Sequence, residues 1–397
     1  MYSVPIEVHC RQILPSDVDK ALLVGRVWVP SNSTQKAGPV PVFYRDGSLM
    51  DISEIAPTLA QVLMKDDLVK TLKNNQFPTI GPLESIAINS LAAERDIKLP
   101  QLLAPCDLQP VKACGVTYVS SVMERLVEER SGGDPNGLDT ARRELEQLVG
   151  GSLNGIRPGS AEAANLKATL IASGHWSHYL EVAIGPDAES FTKCPPMAAV
   201  GFGADVGVRS DSDWNNPEPE LVLAVGPEGG ILGACLGNDC NLRDFEGRSP
   251  MLLDKAKDNN ASAAIGPFVR LFDKHFTIDD VRTTVLNIAI EDAKGYRLEA
   301  TGKVSDITRS FEELVLQVIG RHHQYPDGLM LFTGTMWVPV DDRLGEGQGF
   351  TQFAGDYVSI SADRLGLLCN RVRPAEECAP WAYGLSALID QVQARAR

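Results

Sequence analysis

The stretch 215-NNPEPELVLAVGPEGGILGACLGNDCNLRDFEG-247 carries the pattern that decides the fold. Two short apolar runs flank a Gly- and Pro-rich segment, which is typical of a strand and a returning hairpin partner. Glu218 and Glu220 stand at the head of the first run, and Asp239 ends the second. Residues i and i+2 of a strand point to the same face, and Pro219 keeps the backbone extended. The two glutamates therefore lie side by side, near the point where Asp239 returns.

Clustered carboxylates repel each other unless a positive group lies between them. Three converging carboxylates favour a hard dication such as Mg²⁺ or Mn²⁺. On spacing alone a solvated strand face stays the alternative, because most Glu-x-Glu pairs are of that kind. Cys235 and Cys240 flank Asp239 in sequence, but thiolates prefer softer metals, so we expect these cysteines to be small buried fillers.

Length and composition limit the classes of protein. The 397 residues are 44% hydrophobic and 22% charged, which fits one large globular domain plus a smaller one. The net charge of −15, with no Lys- or Arg-rich run, argues against nucleic acid and anionic membrane as partners. The eight cysteines form no CxxC pair, and neither a leader pattern nor an 18-residue apolar stretch occurs. We therefore expect a cytoplasmic protein whose thiols are free and mostly buried.

The first hundred residues predict a small α+β domain. Residues 20–45 read as two short strands, and Arg45-Asp46-Gly47 is a turn signal. Two helices are expected at 55–72 and 83–95, and 100–109 reads as a linker. We place the domain boundary there, so that the N-terminal domain spans residues 1–105.

The rest of the chain, residues 106–397, begins with helices and then turns to strands. Apolar residues at helical spacing predict helices at 118–129, 139–149 and 161–173, a helical segment covering about 119–175. Short strand-like runs rich in Gly and Pro follow from 183 onward. They include 335–340, 356–361 and 367–372. This pattern predicts an α+β, mostly β fold with a curled sheet, roll or barrel.

Residues 217–244 resemble the signature of the fumarylacetoacetate hydrolase superfamily. The resemblance covers roughly residues 105–372 and includes, in order, SFTKCP (190–195), VGVRSDSDW (206–214), Lys257 with Gly266-Pro267, PDG and TGT within 326–335, and GDYVSI (355–360). It implies a small N-terminal domain followed by a mixed β-sandwich or roll domain. It also implies that Glu218, Glu220 and Asp239 bind Mg²⁺, with Mn²⁺ or Ca²⁺ as possible substitutes.

Within the superfamily, the chain is most similar to the 2-keto-3-deoxy-pentonate dehydratases. This resemblance implies a hydro-lyase that converts 2-keto-3-deoxy-D-pentonate, derived from arabinonate or xylonate, to 2,5-dioxopentanoate in pentose catabolism. A 2-keto acid presents its carboxylate and keto oxygens to the metal, which acidifies the C3 protons and lets the C4 hydroxyl leave. The resemblance further implies a homodimer or homotetramer.

The resemblance assigns roles to single residues. Glu189 transfers protons, and Lys257 anchors the substrate oxygen or acts as the base. Thr335, with the small Gly334 beside it, hydrogen-bonds the substrate carboxylate. From the residues alone, Glu189 is otherwise a solvated acid at a strand end, Lys257 a surface lysine and Thr335 a strand residue.

Two further groups follow from the same resemblance. A loop that closes over the substrate is expected from Gly115, Thr117 and Tyr118, and Tyr118 is alternatively a core residue. Arg243 and Asp244 are expected to pair and to orient the metal ligand Asp239. An ordinary surface ion pair is the alternative for them.

One departure from the family pattern separates two reactions. The C–C bond hydrolases of the superfamily have a His…Glu pair after this loop, whereas here Ser121 stands in place of the histidine and Glu124 remains. Without an imidazole the attacking water loses its base, which favours dehydration. The alternatives are an acylpyruvate hydrolase using another histidine (His175, His178 or His323), an oxaloacetate-type decarboxylase and a non-catalytic cation-binding module.

Overall fold

The computed structural model describes residues 12–31, 36–132, 134, 138–150, 153, 155–343 and 345–395. The described strands are β1 Leu23–Val29, β2 Gly38–Arg45, β3 Ser48–Asp51, β4 Thr79–Pro82, β5 Gln101–Leu103, β6 Val111–Gly115, β7 Glu189–Cys194, β8 Asp205–Val208, β9 Asn215–Asn216, β10 Pro219–Val225, β11 Ile231–Asp239, β12 Asn241–Leu242, β13 Ala263–Leu271, β14 Val285–Glu291, β15 Arg297–Lys303, β16 Leu329–Phe332, β17 Tyr357–Ala362 and β18 Gly366–Pro374.

The described α-helices are α1 Leu59–Leu63, α2 Leu68–Asn74, α3 Leu83–Leu91, α4 Val119–Ser131, α5 Leu138–Leu145, α6 Ala161–Ala172, α7 His178–Ile184, α8 Arg243–Arg248, α9 Leu253–Lys257, α10 Ile278–Arg282, α11 Phe311–Val318 and α12 Leu385–Arg395. A π-helical turn, Glu146–Gly150, extends α5, and 3₁₀ turns lie at Val18–Lys20, Pro250–Leu252 and Val304–Asp306. The α+β class expected from the sequence is confirmed.

The hairpin expected within residues 215–247 forms the centre of the largest sheet. Strands β10 and β11 pair antiparallel, with Glu220 opposite Gly237. All seven residues of β10 are buried, as its continuous apolar run predicts. The register brings Asp239 back beside the first glutamate, and the Asp239 amide donates to the Glu218 carbonyl at 2.9 Å. Pairing of the two strands thus explains why the acidic residues meet.

In the part of the chain that the structure describes, this sheet has eleven strands. The order is β4-β3-β2-β1-β13-β11-β10-β16-β6-β7, and β5 also pairs with β1. The N-terminal strands therefore join the same sheet, because Leu23 of β1 lies opposite Arg270 of β13. The proposed boundary at 105/106 falls in the connection between β5 and β6, and it stays a prediction about folding units. A second, five-stranded sheet has the order β15-β14-β17-β18-β8.

Several expected elements are confirmed and others need correction. The turn at Arg45 joins β2 to β3, with Asp46 and Gly47 at φ 48° and 80°. The single helix expected at 55–72 is two short helices, because the Thr58 side chain caps α1 and the chain turns again before α2. The linker expected at 100–109 contains β5. The helices expected at 118–129 and 161–173 are α4 and α6. The helix expected at 139–149 is formed by α5 and the π-helical turn that extends it.

The strand expected at 335–340 is wrong. This segment is a loop, since Gly334, at φ 96°, turns the chain away after β16. The Thr335 hydroxyl then donates to the backbone carbonyls of Pro219 and Trp337, at 3.1 and 2.8 Å. A strand would have carried these residues along the sheet. The loop instead brings Val338 to the acidic cluster.

The expectation of free thiols is confirmed for seven cysteines, all of which are buried: Cys106, Cys114, Cys194, Cys235, Cys240, Cys369 and Cys378. Cys10 and His9 lie outside the described residues. In the described part of the chain, the helices are too short or too polar for any of them to span a bilayer.

Candidate metal centre

The structure brings together the three carboxylates expected to bind a metal. Glu218, Glu220 and Asp239 are only 1–3% exposed, and each offers an oxygen that lies within 4.8 Å of the others. The glutamates flank Pro219 at the start of β10, and the aspartate ends β11. Three buried acids at this separation repel each other strongly, so a positive charge is required between them.

Lys257 supplies such a charge. Its ammonium, at the end of α9, donates to Glu218 Oε2 and lies 3.2 Å from Asp239 Oδ2. It also sits over the Phe191 ring, 5.7 Å from the centroid. Burial alone lowers the pKa of Lys257, but Asp239 and Glu218 outweigh burial and raise the pKa above its ordinary value. The side chain is therefore an ammonium in this arrangement.

The other oxygens of the three acids contact different donors. Glu218 Oε1 accepts from Arg125 Nη2 at 3.0 Å, Glu220 Oε2 accepts from the Gly334 amide at 2.7 Å, and Asp239 Oδ1 lies 2.7 Å from Lys193 Nζ.

The pKa shifts of Glu220 and Asp239 show which of these carboxylates lacks a neighbouring cation. Burial raises the pKa of Glu220, and the neighbouring charges of Asp239 and Glu218 raise it further. Burial also acts on Asp239, but Lys193 and Lys257 outweigh it and lower its pKa. Glu220 thus lacks the cation that the other two acids have. A set of hard carboxylate oxygens with unmet negative charge fits a divalent cation such as Mg²⁺.

Glu189 lies beside this cluster at the start of β7. Its carboxylate packs directly against Gly115, where a β-carbon would come within 1.8 Å of Glu189 Oε2. Burial raises the pKa of Glu189, and Glu218 and Asp239 add to the rise against the opposing effect of Arg125 and Lys257. Gly115 therefore makes room for a carboxyl that holds its proton more firmly than usual.

The loop expected to close over the substrate is buried in the protein. The Thr117 hydroxyl donates to the Thr333 carbonyl at 2.8 Å, and a β-carbon on Gly334 would lie 2.0 Å from that hydroxyl oxygen. Tyr118 is 2% exposed, and its hydroxyl has no hydrogen-bond partner among the described residues. Thr335 lines the acidic pocket with Gly115. Roles of these residues toward a substrate stay predictions.

The expected pairing of Arg243 with Asp244 is wrong. Arg243 donates to Glu128 Oε1 at 2.6 Å and to Glu124 Oε2 at 2.8 Å, and it stacks on Trp214 at 4.3 Å. Asp244 instead accepts from the Ser212 hydroxyl at 2.8 Å and from backbone amides. The two side chains point in different directions because Arg243 donates to two buried glutamates of α4, Glu124 and Glu128. Asp239 is held by lysines rather than by this pair.

Sequence reasoning missed four charged residues that surround the metal centre: Arg125, Glu128, Lys193 and Glu246. Arg125 contacts three carboxylates, those of Glu218, Glu128 and Glu246. Burial raises the pKa of Glu246 to about 8, since one guanidinium shared by three acids does not offset the loss of water. The sequence held one signal for these residues. Lys193 occupies an inward position of a strand whose residues alternate, and a lysine is rarely buried there unless its charge is paired.

Ser121, at the position where the resemblance places the histidine of the C–C bond hydrolases, is not a base. Ser121 lines the acidic pocket, and its hydroxyl donates to the Tyr118 carbonyl at 2.8 Å as part of a helix cap. Glu124 accepts from Arg142 and Arg243. Among the described residues that line the pocket, none is a histidine. His175 lines a separate groove between helices, and His323 packs edge-on against Tyr325.

Comparisons with known proteins identify chains that are similar in sequence. Residues 177–373 match the family model described as Fumarylacetoacetate (FAA) hydrolase C-terminal. The chain is 32% identical over 194 residues to the probable 2-keto-3-deoxyxylonate dehydratase of Haloferax volcanii, covering 49% of this chain and 63% of that protein. It is also 32% identical over 188 residues to the 2-dehydro-3-deoxy-D-arabinonate dehydratase of Saccharolobus solfataricus, covering 47% and 58%. The matches thus span about three fifths of each relative.

Solved structures show the same fold. A 2-keto-3-deoxy-D-arabinonate dehydratase complexed with magnesium and 2,5-dioxopentanoate superposes with a TM-score of 0.60 at 21% identity, covering 89% of this chain and 99% of that chain. Its apo form gives a TM-score of 0.60 at 20% identity with the same coverage.

Proposed function

We propose, on the premise that residues 177–373 belong to the fumarylacetoacetate hydrolase family, that the protein is a divalent-metal-dependent dehydratase. Its substrate is a 2-keto-3-deoxy-D-pentonate and its product 2,5-dioxopentanoate. The observation that carries the proposal is the buried convergence of Glu218, Glu220 and Asp239. The names of the two curated relatives support the substrate class. The magnesium complex of the structural neighbour supports Mg²⁺. Mn²⁺ and Ca²⁺ are proposed substitutes because both also bind carboxylate oxygens.

Glu218, Glu220 and Asp239 hold the cation in this proposal. A bound dication polarises the keto group of a 2-keto acid and so makes its C3 protons more acidic. The protein's own residues then remove a proton from C3, stabilise the charge that develops on the keto oxygen and supply a proton to the C4 hydroxyl.

Glu189 is the group that moves the proton. Its raised pKa brings a carboxyl closer to neutral, where it both accepts and returns protons. The carboxylate takes the C3 proton, the C4–O bond breaks, and the hydroxyl leaves with one proton as water. The resulting alkene then shifts a proton from C5 to C3, and the C4–C5 enol becomes the aldehyde.

Lys257 is the charge-stabilising group. Its ammonium contacts Asp239 and Glu218, and we assign it the role of a donor rather than the base. An ammonium at this position stabilises negative charge on the keto oxygen more in the transition state than in the substrate. The roles of Glu189 and Lys257, which the sequence left interchangeable, therefore separate in this proposal.

The remaining predicted contacts complete the substrate site. The Gly334 amide donates to Glu220 and Thr335 lines the pocket, and we assign this turn to binding the substrate carboxylate. Gly115 lines the acidic pocket, and the buried Thr117 and Tyr118 follow it in the chain, so we assign these three residues to the protein wall beside the substrate. We also propose that the protein is cytoplasmic, because its seven described cysteines are unpaired, and that it forms a homodimer or homotetramer.

Dehydration is favoured over hydrolysis of acylpyruvates. A hydrolase needs a base that activates water, and the position after the Tyr118 loop holds Ser121. Its hydroxyl is engaged in the helix cap. Glu124, the residue that remains from the His…Glu pair of the hydrolases, accepts hydrogen bonds from Arg142 and Arg243 and is therefore not free to activate a water molecule.

The test is direct turnover. Purified protein with Mg²⁺ is incubated with D- and L-2-keto-3-deoxy-pentonates, and 2,5-dioxopentanoate is measured by aldehyde trapping. We expect product from a D-pentonate, loss of product in E220Q, and no loss in E228Q, which alters an exposed acid of the same hairpin. Absence of product from every keto acid while Mg²⁺ is bound rejects the proposal. Release of pyruvate from acylpyruvates establishes the hydrolase instead.

A further inference from the structure

Each of the three acids in the metal centre has one oxygen occupied by a protein donor. Glu218 Oε1 accepts from Arg125, Glu220 Oε2 accepts from the Gly334 amide, and Asp239 Oδ1 forms an ion pair with the Lys193 ammonium at 2.7 Å. The remaining oxygens of Glu218 and Asp239 are Oε2 and Oδ2, and both contact the Lys257 ammonium. Each carboxylate oxygen has two lone pairs, so these atoms can accept from Lys257 and still bind a cation.

The Arg125 donor is held firmly in place. It is buried, and its Nη1 contacts Glu128 of its own helix and Glu246 of α8 while Nη2 contacts Glu218. The guanidinium thus joins α4, α8 and the start of β10. Rotation of Glu218 would break a charge-assisted hydrogen bond in a buried site.

The second side-chain donor is held equally firmly. Lys193 is fully buried and donates to the Cys240 carbonyl at 2.9 Å and to the Lys257 carbonyl. These backbone contacts fix its ammonium next to Asp239 Oδ1. The third donor is a backbone amide at a turn with φ 96°, which has no side-chain freedom.

We propose that Arg125 and Lys193 are positioning residues that select the cation, because Arg125 holds one oxygen of Glu218 and Lys193 holds one oxygen of Asp239. Six-coordinate Mg²⁺ and Mn²⁺ accept one oxygen from each of three carboxylates and fill the other positions with water and substrate oxygens. Ca²⁺ takes six to eight oxygens and can reach these numbers by binding a carboxylate through both of its oxygens. Holding the second oxygens therefore discriminates against Ca²⁺. This inference rests on the proposed metal site.

The ratio of two affinities tests the proposal. Full-length, demetallated protein is titrated with Mg²⁺ and with Ca²⁺ in a calorimeter, and Kd(Ca)/Kd(Mg) is compared among variants. Removing a positive charge strengthens the binding of both dications, and the ratio cancels that effect. We expect R125M and K193M to lower the ratio about tenfold each, the lower end of what residues behind a metal ligand contribute. R125K, which keeps one donor, restores part of it.

Arg142 provides the matched control. It contacts Glu124 at the outer end of the same charge network and lies behind Arg243 rather than against a metal ligand. R142M is therefore expected to leave the ratio within twofold of the parent. Ratios in R125M and K193M that equal the parent's overturn the proposal.

A second measurement does not depend on the variants folding. In a crystal structure of the parent with Ca²⁺, we expect Glu218 and Asp239 each to coordinate through one oxygen. Coordination through both oxygens of either residue overturns the proposal. Neither measurement uses turnover. A changed ratio in a protein that dehydrates no keto acid supports the selection by Arg125 and Lys193 and rejects only the dehydratase, whereas an unchanged ratio in an active enzyme rejects only the selection.

Discussion

Replacing Gly115 with alanine is expected to lower kcat about 100-fold while leaving the fold and the metal site intact. A methyl group on Gly115 lies 1.8 Å from Glu189 Oε2 and 2.8 Å from its carboxyl carbon. Ordinary van der Waals contact needs about 3.5 Å, so the carboxylate oxygen must retreat by roughly 1.7 Å. A displacement of about 1 Å from the reacting atoms can reduce a rate about 100-fold.

The same distances explain why stability changes little. The crowded atoms are the far end of a flexible side chain, which moves by changing its torsion angles rather than by shifting backbone. An off-rotamer glutamate costs about 1 kcal/mol. Gly115 lies in β6 without a positive φ, so alanine adds no backbone strain there.

The assay is the initial rate of 2,5-dioxopentanoate formation under saturating substrate and Mg²⁺, together with the melting temperature and the Mg²⁺ affinity of each variant. G230A is the matched control, because a methyl group at this exposed turn glycine has no neighbour within 4 Å. G115A combined with E189Q is expected to be no slower than E189Q alone, since both changes remove one function. A G115A enzyme with parental kcat, or a double variant slower by the product of both effects, would refute the assignment of Glu189.

Three further outcomes are expected. K257M should abolish turnover yet still bind Mg²⁺, because the lysine contacts the carboxylates without being one of the ligands; calorimetry and the rate assay separate the two effects. Mg²⁺ at 100 times its Kd should stabilise the parent by about 2.7 kcal/mol, and E218Q should lose this stabilisation in thermal melts while E228Q retains it. Burial raises the pKa of Glu246 from 4.5 to about 8. The protonated side chain therefore contributes its full stabilisation of the folded state below pH 4.5, and this contribution is lost as the pH rises through about 8. The melting temperature of the parent should therefore fall relative to E246Q between pH 5 and 9, and a constant difference would contradict the buried position of this acid.

The central hairpin was predictable because its chemistry is local. Continuous apolar runs separated by a Gly-rich turn define β10 and β11, and their pairing alone brings Glu218 opposite the return of Asp239. Period-2 reasoning placed Glu220 on the same face. The turn at Asp46-Gly47 was predictable for the same reason, since two residues with positive φ and a tight connection need no distant partner.

Elements that depend on distant partners were not predictable. The chain segment after β16 is rich in β-forming residues, yet it becomes a loop because the Thr335 hydroxyl finds the carbonyls of Pro219 and Trp337. Strand β14 alternates buried and more exposed residues along its whole length, and β15 is mostly exposed, so only β14 carried a period-2 signal in the sequence. The expected N-terminal domain shares a sheet with β13, a pairing across more than two hundred residues.

The charged residues around the metal centre show most clearly where local reasoning fails. In the sequence MERLVEER, Arg125 and Glu128 have the i, i+3 spacing of a solvated ion pair on an ordinary helix. The fold turns this face inward, where Arg125 becomes the partner of Glu218. A buried guanidinium is tolerated only because several acids surround it, and those acids are tolerated only because of Arg125. This mutual dependence arises where α4, α8 and β10 meet around Arg125. No single stretch of sequence predicts it. Each charge in this network nevertheless affects how the three carboxylates of the candidate metal centre are held.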